Sequence, residues 1–174
     1  MDGKGLKTTL YLARHGETVD NANHIMQGQT QGKLNENGVC QARQLAENLT
    51  DIYFDAIIAS DLYRSVETAR IIADYRHMDV ALTPLLRERD WGSFTGRYIP
   101  SLKDEIWPNN IESLNTLLER AAKFIDYIRE NYAGKTVLAI GHGIINKAIQ
   151  AVYYGKPMNQ VLKMTNCEVR VLQL

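Results

Sequence analysis

Three short apolar runs constrain this chain more than anything else in it. Leu10-Tyr11-Leu12-Ala13, Phe54-Asp55-Ala56-Ile57-Ile58-Ala59 and Thr136-Val137-Leu138-Ala139-Ile140 are rich in strand formers, and each gives way downstream to a segment of helical periodicity. Near-continuous apolar runs suit strands buried on both faces, the condition of a parallel sheet. Residues 19–35 are polar, without clear period, and read as a loop. From Glu36, Val39, Ala42, Ala46 and Leu49 recur at helical spacing, with Asn35 available as an N-cap. Leu62, Val66, Ala69 and Ala73 form the next stripe, with Ser60 and Asp61 as candidate caps. A weaker strand is expected at Val80-Ala81-Leu82 before Pro84, followed by irregular chain to Pro108. A long amphipathic helix is expected from near Ile111, with Leu114, Leu117, Leu118, Ala121, Ile125 and Ile128 on one face. Residues 144–154 read as a further helix, and residues 168–174 alternate like a half-exposed edge strand. The expected fold class is α/β, a three-layer α/β/α sandwich with a mainly parallel sheet. No repeat or linker divides the 174 residues, which read as a single domain.

Composition narrows the function. Twenty basic residues balance twenty acidic ones, so no overall basic field draws nucleic acid or an anionic membrane. Residues 1–9 are short and polar, unlike a signal peptide, and no segment is long enough to span a bilayer. Cys40 and Cys167 lie far apart in no metal-ligand spacing and read as small, mostly buried hydrophobes of a reducing compartment. The cytoplasm is the expected location. Zero net charge leaves the oligomeric state open.

The chemistry collects at the strand ends. Arg14, His15 and Gly16 follow the first run, Arg64 lies in the first turn of the helix after the second, Glu88 follows the third candidate strand, and Gly141-His142-Gly143 closes the strongest one. In a parallel sheet all of these open on one rim, where open α/β sheets bind ligands. Arginines match phosphate through paired donors and stay charged at any working pH. A neutral imidazole can attack phosphorus, and neighbouring guanidinium groups keep it unprotonated. A carboxyl group set beside phosphate holds its proton more tightly, so it can protonate a leaving alkoxide and then activate water. Gly16 is expected to let the backbone turn sharply or approach a ligand closely. Taken singly, each residue has a plainer account: Arg64 a solvated helix residue, Glu88 a surface ion pair with Arg87 or Arg89, His142 a helix cap. His24 and His77 belong to no motif and keep that plain reading.

Arg14-His15-Gly16-Glu17-Thr18, with Asn21 and Gln27-Gly28 beyond it, resembles the opening signature of the histidine phosphatase superfamily, which includes the cofactor-dependent phosphoglycerate mutases. Residues 59–69 are similar to its second block, Leu86-Arg87-Glu88-Arg89-Asp90-Trp91-Gly92 to its acid-bearing block, Glu112-Ser113 with Arg120 to the start of its long helix, and Gly141-His142-Gly143 to its final block. The resemblance implies a phosphoglycerate mutase-like fold, with His15 as the nucleophile that becomes phosphohistidine and Glu88 as proton donor and acceptor. It implies that Arg14, Arg64 and His142 hold the phosphoryl oxygens, and that Asn21, Gln27, Gly28, Arg89 and Gly143 contact phosphate or substrate. It implies no cofactor and no metal. The partner it implies is a small phosphorylated metabolite: a sugar phosphate, a nucleotide-type ester, an α-ribazole phosphate or a phosphoglycerate.

Gln31 and Lys33-Leu34 depart from the family's usual Asp and Pro-Leu, Asp20 stands where tryptophan is common, and Asn110-Ile111 replaces a frequent glycine pair. Residues 96–110 are shorter than the segment that, in the family the chain resembles, folds over the site in mutases and several specific phosphatases. A short lid leaves water access to a phosphohistidine, so hydrolysis is favoured over mutase chemistry. A protein-phosphohistidine phosphatase and a non-catalytic phosphate-binding protein are the other readings.

Overall fold

A computed structural model describes residues 6–174; the reading of residues 1–5 as short, polar chain unlike a signal peptide lies outside them. The apolar runs form β1 (Thr9–Arg14), β2 (Ala56–Ser60) and β4 (Thr136–Gly141), joined by β3 (Val80–Thr83) and β5 (Val169–Gln173). The five-stranded sheet has the order β3-β2-β4-β1-β5. Every pairing is parallel except that of β1 with β5, which is antiparallel. Both edges expose apolar side chains, Leu82 on β3 and Val171 on β5.

Alternation along the strands divides the core into two layers. Leu10 and Leu12 of β1, Ile58 of β2 and Val137 and Ala139 of β4 pack with Leu117, Phe124 and Ile128 of α4 (Leu114–Asn131) and Ile145 and Ile149 of α5 (Gly143–Tyr154). On the other face Ala13, Ile57, Ala59, Leu138 and Ile140 meet Leu45 and Ala46 of α2 (Glu36–Asn48) and Ala69, Ile72 and Ala73 of α3 (Tyr63–Asp74). This is the expected three-layer α/β/α arrangement. Because β1 and β4 are neighbours whose following helices leave to opposite faces, a crevice opens at their carboxyl ends.

Several local expectations change. Residues 19–35 contain a one-turn helix, α1 (Val19–Ala22), held by a capping box between Thr18 and Asn21; four residues are too few to show a period. Asn35 caps α2 as expected, accepting from Gly38 N. Neither Ser60 nor Asp61 caps α3: the N-cap is Leu62, Ser60 Oγ accepts from Leu62 N, and Asp61 pairs with Arg87 instead. The long helix starts three residues after Ile111, where Ser113 Oγ accepts from Thr116 N, and Leu114 is exposed. Cys40 is exposed rather than buried, whereas Cys167 is half-buried. No helix is long and apolar enough to cross a membrane among the described residues.

Gly16 carries no unusual backbone angle; what it permits is contact with α2. A Cβ on Gly16 would lie 2.6 Å from Gly38 O, and one on Gly38 would lie 2.0 Å from Glu17 O. The β1–α1 loop and the first turn of α2 therefore meet backbone to backbone. Gly38→Ala is expected to lower stability by about 3 kcal/mol through overpacking at a contact that neither backbone can vacate, read from denaturant midpoints.

Candidate active site

The register of β1 against β4 builds the site. Arg14 is paired with Gly141, so the next residues, His15 and His142, emerge side by side with ring centroids 5.0 Å apart. Arg64 rises from the first turn of α3, and Glu88 follows the short helical turn Pro84–Leu86 at the end of β3. A cavity of about 240 Å³ opens here, lined by Arg14, His15, Arg64 and Glu88 together with Asn21, Gln27, Gly28 and Gly143. His142 is fully buried against His15 rather than on the cavity lining.

Each group is held. His15 Nδ1 donates to Gly16 O at 2.7 Å, an assignment the carbonyl forces because it can only accept. Gly16 N in turn donates to Thr68 Oγ1 at 3.0 Å, and the Thr68 hydroxyl donates to Arg64 O at 2.8 Å, linking the histidine loop to the arginine helix. Arg14 Nη1 donates to Met164 O, and Arg64 donates to the carbonyls of Gly28, Thr30 and Gln31. Gly28 adopts a positive φ of 52°, which glycine tolerates without strain. Glu88 accepts from Arg89 N at 2.8 Å and from Ile144 N and Ile145 N, so its carboxylate sits at the N-terminus of α5. Behind it Arg120 is paired through two nitrogens with Glu112 and donates to the carbonyls of Leu85 and Arg87, fixing the segment that carries Glu88.

The plainer accounts of these residues fail. Arg64 is 1% exposed, and Arg87 pairs with Asp61 rather than Glu88. His142 stands at the N-cap position of α5 but makes no side-chain cap bond. Both of its ring nitrogens, with Nε of Arg14 and of Arg64, are buried without a partner among the described residues. Each such group left unpaired costs about 1–3 kcal/mol.

Burial, then Arg64 and Arg14, hold His15 well below the usual histidine value, so its imidazole is neutral. Burial also holds His142 well below that value, followed by Arg64, His15, Arg14 and Arg120. Burial lowers Arg64 to about 10, which leaves it charged at neutral pH.

Two expected contacts do not occur. Arg89 turns away from the cavity: its Nε donates to Glu112 O and its guanidinium lies 4.9 Å from the Trp91 ring centroid and 5.4 Å from that of Trp107. Gly16 is absent from the lining because its open side faces Gly38. His24 and His77 are exposed and outside the site, as read. The sequence did not single out Ile25, Met26, Trp91, Ile99, Ile144 and Lys163 as lining residues, since loop side chains carry no period. Asn166 was missed too; its Nδ2 donates to His15 O at 3.0 Å and reaches Asn21 Oδ1 at 3.4 Å.

A neutral histidine beneath two arginines and beside a carboxylate, at the carboxyl edge of a parallel sheet, defines a phosphoryl-handling α/β protein. The chain matches the histidine phosphatase superfamily (branch 1) over residues 10–174 and belongs to it. It is 35% identical to the probable phosphoglycerate mutase GpmB of Enterobacter sp. (strain 638), over 92% of this chain and 82% of that protein. It is 33% identical to the uncharacterized phosphatase PhoE of Bacillus subtilis (strain 168), over 91% of this chain and 84% of that one. The solved structure of mycobacterial hydrolase 1 superposes with a TM-score of 0.89 at 24% identity, covering 96% of this chain and 92% of that one.

The neutral histidines set a pH dependence. An unfolded histidine takes up a proton below about 6.5, whereas the folded His15 and His142 resist it. The unfolded state therefore binds more protons as pH falls below 6.5, and stability falls with it until the depressed folded values are reached. His142→Gln, neutral at all pH, is expected to flatten the fall in unfolding midpoint between about pH 7 and 5. An unchanged slope would contradict a buried neutral His142.

Proposed function

We propose that this protein is a phosphomonoester phosphatase that works through a phosphohistidine on His15 and needs no metal. The observation that carries the reading is the His15 Nδ1 bond to Gly16 O, which fixes the proton on Nδ1 and leaves the lone pair on Nε2 of a ring lining the cavity. In the first step that lone pair attacks phosphorus, the bond to the leaving oxygen breaks, and Glu88 gives that oxygen a proton. Gly16 O faces the positive ring so formed. In the second step Glu88 takes a proton from water, the water oxygen attacks phosphorus, and the P–N electron pair returns to Nε2. In this reading Arg14 and Arg64 hold the phosphoryl oxygens from the cavity lining, joined by His142 from its buried place against His15, with Asn21, Gln27, Gly28 and Gly143 as further substrate contacts.

Hydrolysis is favoured over phosphoryl return by the wall of the cavity. The expected lid, residues 96–110, is tied down along one side: Gly96 N donates to Met26 O, Met26 N to Arg97 O and Ile99 N to His24 O. Ile99 alone of that stretch lines the cavity among the described residues, while Ile106 is 95% exposed. In this reading water reaches the phosphohistidine from the cavity, the side on which the otherwise buried His15 ring is lined by open space. The substrate in this reading is a small phosphorylated metabolite of the cytoplasm, with no nucleic-acid or membrane partner.

Wild-type protein is expected to release phosphate from 4-nitrophenyl phosphate in the presence of a chelator, and His15→Ala to lose at least about a thousandfold in kcat. Full activity in His15→Ala would remove the nucleophile, loss to chelator would point to a metal, and interconversion of phosphoglycerates without phosphate release would establish a mutase. Glu88→Gln is expected to lower kcat/KM by about a hundredfold or more for alkyl phosphates, but much less for 4-nitrophenyl phosphate, whose leaving group needs little protonation. Equal losses on both would contradict a proton-donating Glu88.

A further inference from the structure

Beyond the phosphoryl pocket, the cavity has a second character. Beside the polar Asn21 and Gln27, Ile25, Met26, Trp91, Ile99 and Ile144 line it, so a leaving group meets a largely apolar surface. Trp91 is braced in place, stacked by Arg89 and set edge-on to Trp107 at 5.5 Å. At about 240 Å³ the cavity lies below the ~300–1,000 Å³ of sites for drug-sized ligands, which suits a phosphoryl group and one ring.

One cation on this lining is uncommitted. Arg14 and Arg64 already donate to backbone carbonyls. The ion pairs among the described residues use Arg87, Arg97, Arg120, Arg129 and Arg170, and Lys163 enters none of them. Its backbone is nonetheless tightly placed. Arg170 donates to Leu162 O at 2.9 Å and to Lys163 O at 3.4 Å, and Arg14 donates to Met164 O at 2.8 Å. Three successive carbonyls are thus held by guanidinium groups, and Arg170 is itself anchored to Gln150 Oε1 and Glu168. Lys163 is exposed at the rim of the cavity, and an unpaired ammonium on so fixed a segment is a second cationic point beside the arginines on a lining that also carries Ile25, Met26, Trp91, Ile99 and Ile144.

We propose that Lys163 determines specificity by pairing with a second anionic group on the substrate, so that the preferred esters carry an acid across an apolar or aromatic spacer from the phosphate. This rests on the phosphatase reading above. The probes are 4-carboxyphenyl phosphate and its neutral, near-isosteric amide, 4-carbamoylphenyl phosphate. The amide has the better leaving group, so any lead of the acid reports charge recognition. Wild type is expected to favour the acid by about fivefold in kcat/KM, mainly through KM, with the ratio shrinking as salt is raised. Lys163→Met is expected to bring the ratio to about one or below, and Lys163→Arg to retain the preference. A merely structural lysine would lower both esters in parallel and leave the ratio alone. Equal turnover of the two esters by wild type, or a ratio unchanged in Lys163→Met, overturns the Lys163 assignment alone. Absence of turnover of either ester by wild type overturns the phosphatase reading and this proposal with it.

Discussion

The parallel pairing of β1 with β4, in a register that sets Arg14 opposite Gly141, is the constraint on which the site depends. It brings two histidines from opposite ends of the sequence into ring contact, and it does so at the one place where the following helices part to opposite faces. A one-residue slip of β1 would turn Leu10 and Leu12 away from Val137 and Ala139 and into the other core layer, so the hydrophobic pattern that fixes the register also fixes the histidine pair. Crowding those imidazoles with Arg14 and Arg64 away from water then forces both rings to stay neutral. The strand register thus governs protonation as well as position.

Around that pairing, short hydrogen-bond chains carry orientation from one element to the next. Gly16 accepts from His15 through its carbonyl and donates through its amide to Thr68, whose hydroxyl continues to Arg64 O. The orientation of the His15 ring and the placement of the helix bearing Arg64 are therefore tied to one residue. On the opposite side of the cavity the Arg120–Glu112 pair, with side chains 16% and 9% exposed, holds the segment behind Glu88 through backbone carbonyls. A buried pair of that kind contributes little net stability, but it leaves the carbonyls of Leu85 and Arg87 one fixed arrangement.

The layers of the fold and the rim that bears the chemistry were legible in the sequence because both follow from period and chain order. The apolar runs, the stripe Leu62, Val66, Ala69 and Ala73, and the placement of Arg14, His15, Arg64 and Glu88 after strands needed no long-range information. What escaped depends on contacts between distant segments. Glu88 and Arg89 are adjacent, yet one meets α5 and the other stacks on Trp91 and Trp107, a choice made by Glu112 O and the tryptophans rather than by local pattern. Gly16 looked like a ligand glycine, but its partner is Gly38 on a helix whose approach no spacing rule reports. Asp61 looked like a cap until Arg87, on another loop, claimed it. Lys163 has no local signal, since its position comes from Arg14 and Arg170.

On the proposed reaction, chemistry and selection of the leaving group would sit on different parts of one frame. A phosphoryl group would be met by side chains at strand and helix ends, whose geometry the sheet fixes before any ligand arrives, so little reorganisation would accompany binding. The leaving group is met by loops, which lack such support of their own. Here the cations supply it: Arg64 holds the carbonyls of Gly28, Thr30 and Gln31, and Arg14 holds that of Met164. The same guanidinium groups that would meet phosphate therefore anchor the loops around the cavity. Such coupling restricts how these loops can differ without disturbing catalysis. Side chains such as Met26, Ile99 and Lys163 can change what the cavity selects without moving these anchors, because the anchor is backbone. A change in chain length at 28–31 or beside 164 would instead move a carbonyl off its arginine, and with it the cation on which the phosphoryl group depends.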